Sequence, residues 1–331
     1  MVTGGTGLLG THVLVELSKR GKKIRALKRP SSDLDLVLRV FQFYNSEKGK
    51  AWFDQIEWVD GDLNDISSLE DAMKGCDVVY HCAAIVSFIK KDFKKLMKVN
   101  AEGTANVVNV ALDQGVDHLV YCSSTAAIGR NDKDEVLDET NKWVPHKENS
   151  NYAVSKFTAE KEVWRGVEEG LDAVIVNPSV ILGVGNWNDS SISIFKVVKK
   201  GLKFYTPGAN AFVDARDVAF VMSELSERRI FNQRFLCFSE NLKFKEVFDY
   251  IAEAFQVKPP SILVSEWMAA LAWRIEGTLR VLFGRKQNIT KETARSAMKT
   301  TRFSNQKIKD ANGVKFIPIK QSIQEASIFW K

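Results

Sequence analysis

Five short apolar runs, "KKIRAL", "IEWVDGD", "DVVYHCAA", "DHLVYCSS" and "LDAVIVNP", alternate with amphipathic segments through the first half of the chain. Continuous runs suit strands covered on both faces, and their alternation with helices predicts a parallel, doubly wound sheet. Apolar spacing places helices near residues 8 to 20, 66 to 74, 92 to 115 and 151 to 169, with another over 31 to 49. After Pro178 the alternation weakens. One later run, "RFLCFS" at 234 to 239, reads as a strand returning to the sheet, and the pattern from about 243 onward is mainly helical.

The first turn of this α/β pattern is "VTGGTGLLGTHVLVEL", with Gly4, Gly7 and Gly10 at three-residue spacing between a strand end and an amphipathic helix. Glycine is required where a backbone turns sharply, approaches a pyrophosphate, or packs a helix tightly on a sheet. The helix N-terminus then offers free N–H groups to the anion. Thr3, Gly4, Gly7, Leu8, Leu9 and Gly10 are therefore candidates to hold a dinucleotide, the other reading being a simple tight turn. The strand before the loop would have only two or three residues where about five or six are usual. It is either a stub or the end of a strand begun by residues preceding Met1.

The end of the second strand chooses between cofactors. An acid there would hydrogen-bond the ribose diol of NAD, but "IRALKRPSSD" offers Lys28 and Arg29 and no carboxylate before Asp33. A guanidinium grips phosphate with two parallel hydrogen bonds, so Arg29 favours NADP over NAD, against the alternative of a solvated basic turn. The chain thus reads as a Rossmann-type doubly wound sheet, residues 1 to 178 plus about 212 to 242. A smaller, mainly helical substrate lid takes about 179 to 211 plus 243 to 331.

Bulk properties narrow the partners. The 331 residues are 45% hydrophobic and 27% charged, an ordinary globular balance. The net charge of +6 is scattered in short pairs such as Lys90-Lys91 and Lys199-Lys200, which gives nucleic-acid binding little support. Cys76, Cys82, Cys122 and Cys237 stand far apart, mostly inside apolar runs. They read as reduced core thiols of a cytoplasmic protein, and with no histidines clustered near them no metal site is expected. The opening residues do not read as a signal peptide. The greasiest stretch, within 265 to 283, is interrupted by Arg274, Glu276 and Arg280, so it is too polar to span a bilayer. Trp267, Leu271, Arg274 and Thr278 share a helical face there, read as a lid helix, with a membrane-surface anchor as the lesser alternative.

In "NYAVSKF", Tyr152 and Lys156 stand one helical turn apart. An ammonium beside a phenol favours the phenolate, a way to build a proton donor; a surface tyrosine over a solvated lysine fits the same spacing. Ser123, Ser124 and Thr125 are hydroxyls at a strand's carboxyl end, where ligands sit in such sheets, or turn hydroxyls satisfied locally.

The glycine loop, "CSSTAAIG" after a strand and "YAVSK" downstream, together with "GDLND", "HCAA" and "VNAEGTANVVNVA", resemble the extended short-chain dehydrogenase/reductase family over essentially the whole chain. The resemblance implies that Asp62 and Leu63 hold the adenine, that Ala83 and Ala84 line the nicotinamide ribose, and that Asn100 braces the active site. It also implies a relay in which Ser124 orients the substrate oxygen, Tyr152 moves the proton, and Lys156 lowers the phenol and bonds the ribose. Ser123, Pro178 and Val180 would complete the cofactor contacts.

Within the family, Thr125 and Ala126 replace the Asp-Glu pair of the dehydratases, so dehydration lacks its acid and base. Asn177 and Val180 stand where sugar-nucleotide epimerases carry an arginine and then an asparagine, which weakens that reading. "VNPSVILG" is more similar to the dihydroflavonol reductase and cinnamoyl-CoA reductase branch, with 3β-hydroxysteroid dehydrogenases close by, although the plant cinnamoyl-CoA signature before the tyrosine is absent from "NSNYA". The expected activity is an NADPH-dependent interconversion of a hydrophobic ketone or aldehyde and its alcohol. Its rivals are an NAD-dependent nucleotide-sugar epimerase and a redox sensor that binds NADP without chemistry. Residues 183 to 212 and 259 to 303 should wall an apolar cleft, with Arg216 and Asp217 paired near it, and helices 92 to 115 and 151 to 169 are candidates for pairing across a homodimer.

Overall fold

A computed structural model describes residues 1–129, 136–187, 191–265, 267–268 and 291–331. Seven parallel strands form the central sheet: β1 (Val2–Thr3), β2 (Arg25–Lys28), β3 (Glu57–Asp60), β4 (Val78–His81), β5 (His118–Cys122), β6 (Asp172–Pro178) and β10 (Gln233–Cys237). Their spatial order is β10-β6-β5-β4-β1-β2-β3. β1 spans two residues, and "RFLCFS" does return to the sheet, beside β6 with Phe235 opposite Val176. Chain order reverses between β1 and β4, so the crevice at their carboxyl ends is where such a sheet takes a ligand.

Alternation along the strands separates two cores. Val120, Val174 and Val176 face one side with Val13 and Leu14 of α1 (Leu8–Lys19) and Met222 and Leu225 of α9 (Ala215–Glu227). Leu119, Tyr121, Ala173 and Ile175 face the other, with α4 (Ile66–Met73), α6 (Gly103–Asp113) and α7 (Asn151–Glu168). Period-two side-chain direction makes this division unavoidable once both faces are covered. Arg20 ties the first pair of helices together through Glu16, Glu224 and Glu227.

The helix expected over 31 to 49 is shorter, α2 (Leu34–Tyr44), because the Asp33 carboxylate accepts from the Leu36 amide at 3.0 Å and Asn45 turns to an extended backbone. A separate α3 (Gly49–Asp54) follows. The helix expected over 92 to 115 is interrupted: α5 (Phe93–Leu96) runs through a π-helical turn, Met97–Glu102, into α6.

The second half carries more strand than its helical pattern suggested. β7 (Val180–Leu182), β9 (Ala209–Asp214) and β11 (Glu240–Lys243) form a three-stranded sheet, and β8 (Phe204–Tyr205) pairs with β12 (Ile262–Leu263). Strands of two to six residues leave no readable period; tertiary pairing makes them. This part is closed by α8 (Ser193–Lys199), α10 (Phe244–Phe255) and the helix Ile319–Ile328 around Phe195, Phe212, Ile251 and Ile323. No helix among the described residues is long and apolar enough to cross a membrane. Most of the 265 to 283 stretch, with Leu271, Arg274 and Thr278, lies outside the described residues.

The glycine loop seats the sheet's first turn by close approach. A Cβ at Gly4, whose φ is +68°, would stand 2.7 Å from the Ala83 backbone, and one at Gly10 would lie 2.0 Å from the Gly4 carbonyl oxygen. Gly10→Ala should therefore cost about 1–3 kcal/mol of unfolding free energy. Urea denaturation reads this, and an unchanged midpoint would show that the turn relaxes freely.

Candidate active site

One cleft of about 1850 Å³ runs along the carboxyl ends of the strands. Of the residues expected at a dinucleotide, Gly4, Gly7, Leu8, Leu9 and Gly10 line it from the first turn, and Lys28 and Arg29 from the end of β2. Asp62 and Leu63 follow β3, Ala83 and Ala84 follow β4, and Val180 opens β7, all on the same wall. Ser124 and Tyr152 reach the cleft as well. Thr3, Asn100, Ser123, Lys156 and Pro178 are instead buried behind it.

The cleft suits a dinucleotide on its own geometry. Gly7 is the N-cap of α1 and gives it no side-chain capping bond, so the first N–H groups of the helix remain available to an anion, and no side chain intervenes. The exposed Arg29 makes no hydrogen bond through its guanidinium among the described residues, while Ser32 accepts from the Arg29 amide at 3.1 Å. Lys28 differs from expectation. Its ammonium is 2.5 Å from Asp60 on β3, so one of the two expected cations is already paired. Asp33 is the helix cap, and Asp62 accepts from the amide and side chain of Asn64, which with Arg29 nearby hold its carboxyl below the usual range.

Ser124 and Tyr152 both line the cleft, close enough for the Ser124 hydroxyl to act on the phenol, with the Phe88 ring edge-on to the phenol at 5.9 Å. Ser124 Oγ also accepts from the Ala126 amide at 3.1 Å, which leaves its proton for another acceptor. α7 begins at Ser150, whose hydroxyl caps the Ala153 amide, and this start sets Tyr152 at the cleft edge.

The Lys156 ammonium makes its hydrogen bonds within the sheet. The residue is 2% exposed, and its ammonium donates to the Tyr121 hydroxyl at 2.8 Å and the Cys122 carbonyl at 2.9 Å, with the Tyr121 ring face 4.5 Å away. A buried charge must find acceptors, and these lie inside the sheet. Burial in turn pushes the Tyr152 hydroxyl up to about 12, against the lowering effect of Ser124. The chain alone therefore holds the phenol protonated.

Two buried polar networks stand behind this pair. In the first, Thr3 Oγ1 is 2.6 Å from His81 Nδ1, and His81 Nε2 is 3.0 Å from Thr104 Oγ1. Thr104 donates to the Asn100 carbonyl at 2.6 Å, Asn100 Nδ2 donates to Ser155 Oγ at 3.0 Å, and Ser155 donates to the Tyr152 carbonyl at 2.8 Å. Burial, with Lys156 adding repulsion, drives His81 down to about 3, so the ring is neutral. Because Thr104 donates onward, His81 carries its proton on Nε2 and accepts from Thr3 on Nδ1. Asn100 also clasps both the amide and the carbonyl of Ile85, so it positions the site without touching the cleft.

The second network centres on Glu160, one turn beyond Lys156 on α7 and 2% exposed. It accepts from Ser123 at 2.6 Å, Asn177 at 2.7 Å and Arg234 at 3.3 Å, and Asn177 donates to the Ser124 carbonyl at 3.0 Å. Sequence reasoning missed Glu160, Arg234 and Tyr121; the only available signal was a carboxylate on the Tyr152/Lys156 helix face. Arg216 and Asp217 are not a pair: Arg216 bonds Asp214 and Glu325 at 2.7 Å each, while Asp217 accepts the Ile317 amide at 2.8 Å. Of the far wall expected to be apolar, residues 266 and 269 to 290 lie outside the described residues, and the described part brings Thr293, Ser296, Thr300 and Thr301 to the cleft with Lys299 and Arg302.

The model of the NAD dependent epimerase/dehydratase family matches residues 1–232. The chain belongs to this family. Among its relatives is a Synechocystis sp. protein provisionally named a dihydroflavonol 4-reductase, 29% identical over 339 residues that cover 99% of this chain and 93% of that one. Cinnamoyl-CoA reductase 1 of Petunia hybrida is 28% identical over 335 residues, 98% of this chain and 89% of that one. The solved structure of gox2253 superposes with a TM-score of 0.81 at 29% identity, over 99% of this chain and 96% of that one. This member of the epimerase/dehydratase family is an NAD(P)-dependent oxidoreductase of the extended short-chain dehydrogenase/reductase type.

Glu160→Gln keeps the shape but removes the charge that gathers Ser123, Asn177 and Arg234. We expect kcat to fall about tenfold at unchanged KM, from weakened charge-assisted hydrogen bonds. Steady-state kinetics with a nearly unchanged kcat would limit the network to a structural role.

Proposed function

We propose that the protein is an NADPH-dependent oxidoreductase that interconverts a hydrophobic ketone or aldehyde and its alcohol. The observation that carries this reading is the Ser124–Tyr152 pair in the same cleft as the glycine loop. Residues 1 to 178 plus about 212 to 242 would hold the cofactor, and about 179 to 211 plus 243 to 331 the substrate. Gly4, Gly7, Leu8, Leu9 and Gly10 would receive the pyrophosphate, Asp62 and Leu63 the adenine, and Ala83, Ala84, Ser123, Pro178 and Val180 the nicotinamide end. Arg29, with Ser31 and Ser32 on the same wall and no free carboxylate at the end of β2, would grip a ribose phosphate.

When bound, the nicotinamide exchanges a hydride with the carbinol carbon, and the positive charge of its oxidised form favours the Tyr152 phenolate. The chain's own residues handle the oxygen. Ser124 donates a hydrogen bond to it, and Tyr152, kept protonated by burial, delivers the proton in the reducing direction. Lys156, anchored on Tyr121 and Cys122, stabilises negative charge from beneath. Asn100 holds the 85–88 loop, with Phe88 beside the phenol.

The hydroxyl-rich wall of Thr293, Ser296, Thr300 and Thr301 supports a second reading, a nucleotide-sugar epimerase with tightly held NAD. Turnover of UDP-sugars by a preparation that retains NAD would favour it. For the reductase, Tyr152→Phe should leave cofactor affinity intact and lower turnover about 10²–10⁴-fold in an NADPH-consumption assay, so a fully active variant removes the mechanism. Arg29→Ala should weaken NADPH binding about tenfold or more while changing NADH binding little, by fluorescence titration. Equal losses for both cofactors would assign Arg29 to general charge alone.

A further inference from the structure

The two-stranded sheet β8/β12 presents apolar side chains to solvent. Phe204 is 45% exposed, Ile262 43% and Leu263 51%, and Trp267, three residues past the last hydrogen bond of this pair, is 69% exposed. Phe204 and Ile262 are direct partners in a parallel register, so they stand side by side on one face. Large apolar groups gathered on one small element mark an interaction surface more than scattered ones do.

The charged residues flanking these strands in sequence are mostly lysines, Glu266 beside Trp267 being the exception. Residues 191 to 213 contain Lys196, Lys199, Lys200 and Lys203 and no acid, and residues 254 to 265 contain Lys258 and no acid. Lys200, Lys203 and Lys258 are exposed and make no ion pair among the described residues. The acids of the neighbouring helix α10 are engaged elsewhere, Asp249 by Lys245 at 2.6 Å and Glu253 by Lys320 at 2.9 Å. Lys245 also lies 5.3 Å over the Tyr205 ring, which closes that side of the strand.

We propose that the β8/β12 edge, with Phe204, Ile262 and Trp267 among Lys200, Lys203 and Lys258, docks on the surface of an anionic phospholipid bilayer. Aromatic and aliphatic tips enter the headgroup boundary while lysine stems carry their charges to the phosphates. A second copy of this chain fits poorly, because a two-fold contact would set lysines against lysines. β8 leads through residues 206 to 208 into β9, whose Asn210 lines the cleft, so docking would bring the substrate end of the cleft close to the lipid.

The test is co-sedimentation of the full chain with vesicles of about three parts phosphatidylcholine to one part phosphatidylglycerol, against pure phosphatidylcholine. We expect binding to the anionic vesicles, lost when salt is raised to about 0.5 M. Lys203→Glu should lower partitioning about fivefold or more, and Phe204→Ser with Ile262→Ser about tenfold, with the thermal midpoint unchanged in each. The salt arm decides the question if the double variant folds poorly. Equal sedimentation with neutral vesicles, no sedimentation, variants that bind like the parent, or light scattering that shows this face buried in a dimer would each overturn the proposal.

Discussion

The Gly10 position sits so close to the Gly4 carbonyl that no side chain fits between them. That contact fixes how steeply α1 leaves β1, and with it where the helix N-terminus points. Gly4 meets the Ala83 backbone at the reversal of strand order, so the same few atoms bring the first and fourth strand ends together. Everything the cleft offers a dinucleotide is arranged around this backbone approach. Arg29 and Asp62 bring charged side chains to its wall farther out.

Behind the cleft the limiting quantity is burial of charge. The Lys156 ammonium lies within a sheet core and is tolerable there only because Tyr121 and Cys122 supply oxygen acceptors. Glu160, one turn along, answers with Ser123, Asn177 and Arg234. The two charges are thus solvated by the protein, and the hydroxyls of Ser124 and Tyr152 lie just in front of them. Such preorganised surroundings need little reorganisation when charge develops nearby.

Much of this was legible in the sequence because it depends on local period. The five runs of the first half became β2 to β6 of a parallel sheet, and the glycine spacing marked the turn between β1 and α1. The grouping of Ser124 with Tyr152 came from the family resemblance of "CSSTAAIG" and "YAVSK", since local spacing alone left Ser123, Ser124 and Thr125 equivalent. What escaped notice depends on contacts between distant residues: Glu160 and Arg234 are 74 positions apart, and the Lys156–Tyr121 bond spans 35. Neighbouring charges misled for a similar reason, since Arg216 turned back to Asp214 while Asp217 faced the 317 backbone. The strands β7, β8 and β12 are too short to announce themselves, and the hydroxyls at 293 to 301 declared their common wall only once folded.

The hydrogen-bonded file from Thr3 through His81, Thr104, Asn100 and Ser155 to the Tyr152 backbone crosses from the first strand to α7 without a break. The links run from 2.6 to 3.0 Å, all but the last between buried groups, and the neutral imidazole at its centre admits one proton arrangement. The floor on which a coenzyme would lie and the helix that bears the phenol are consequently clamped as one rigid block. Any opening and closing in this molecule must then come from the opposite bank of the cleft.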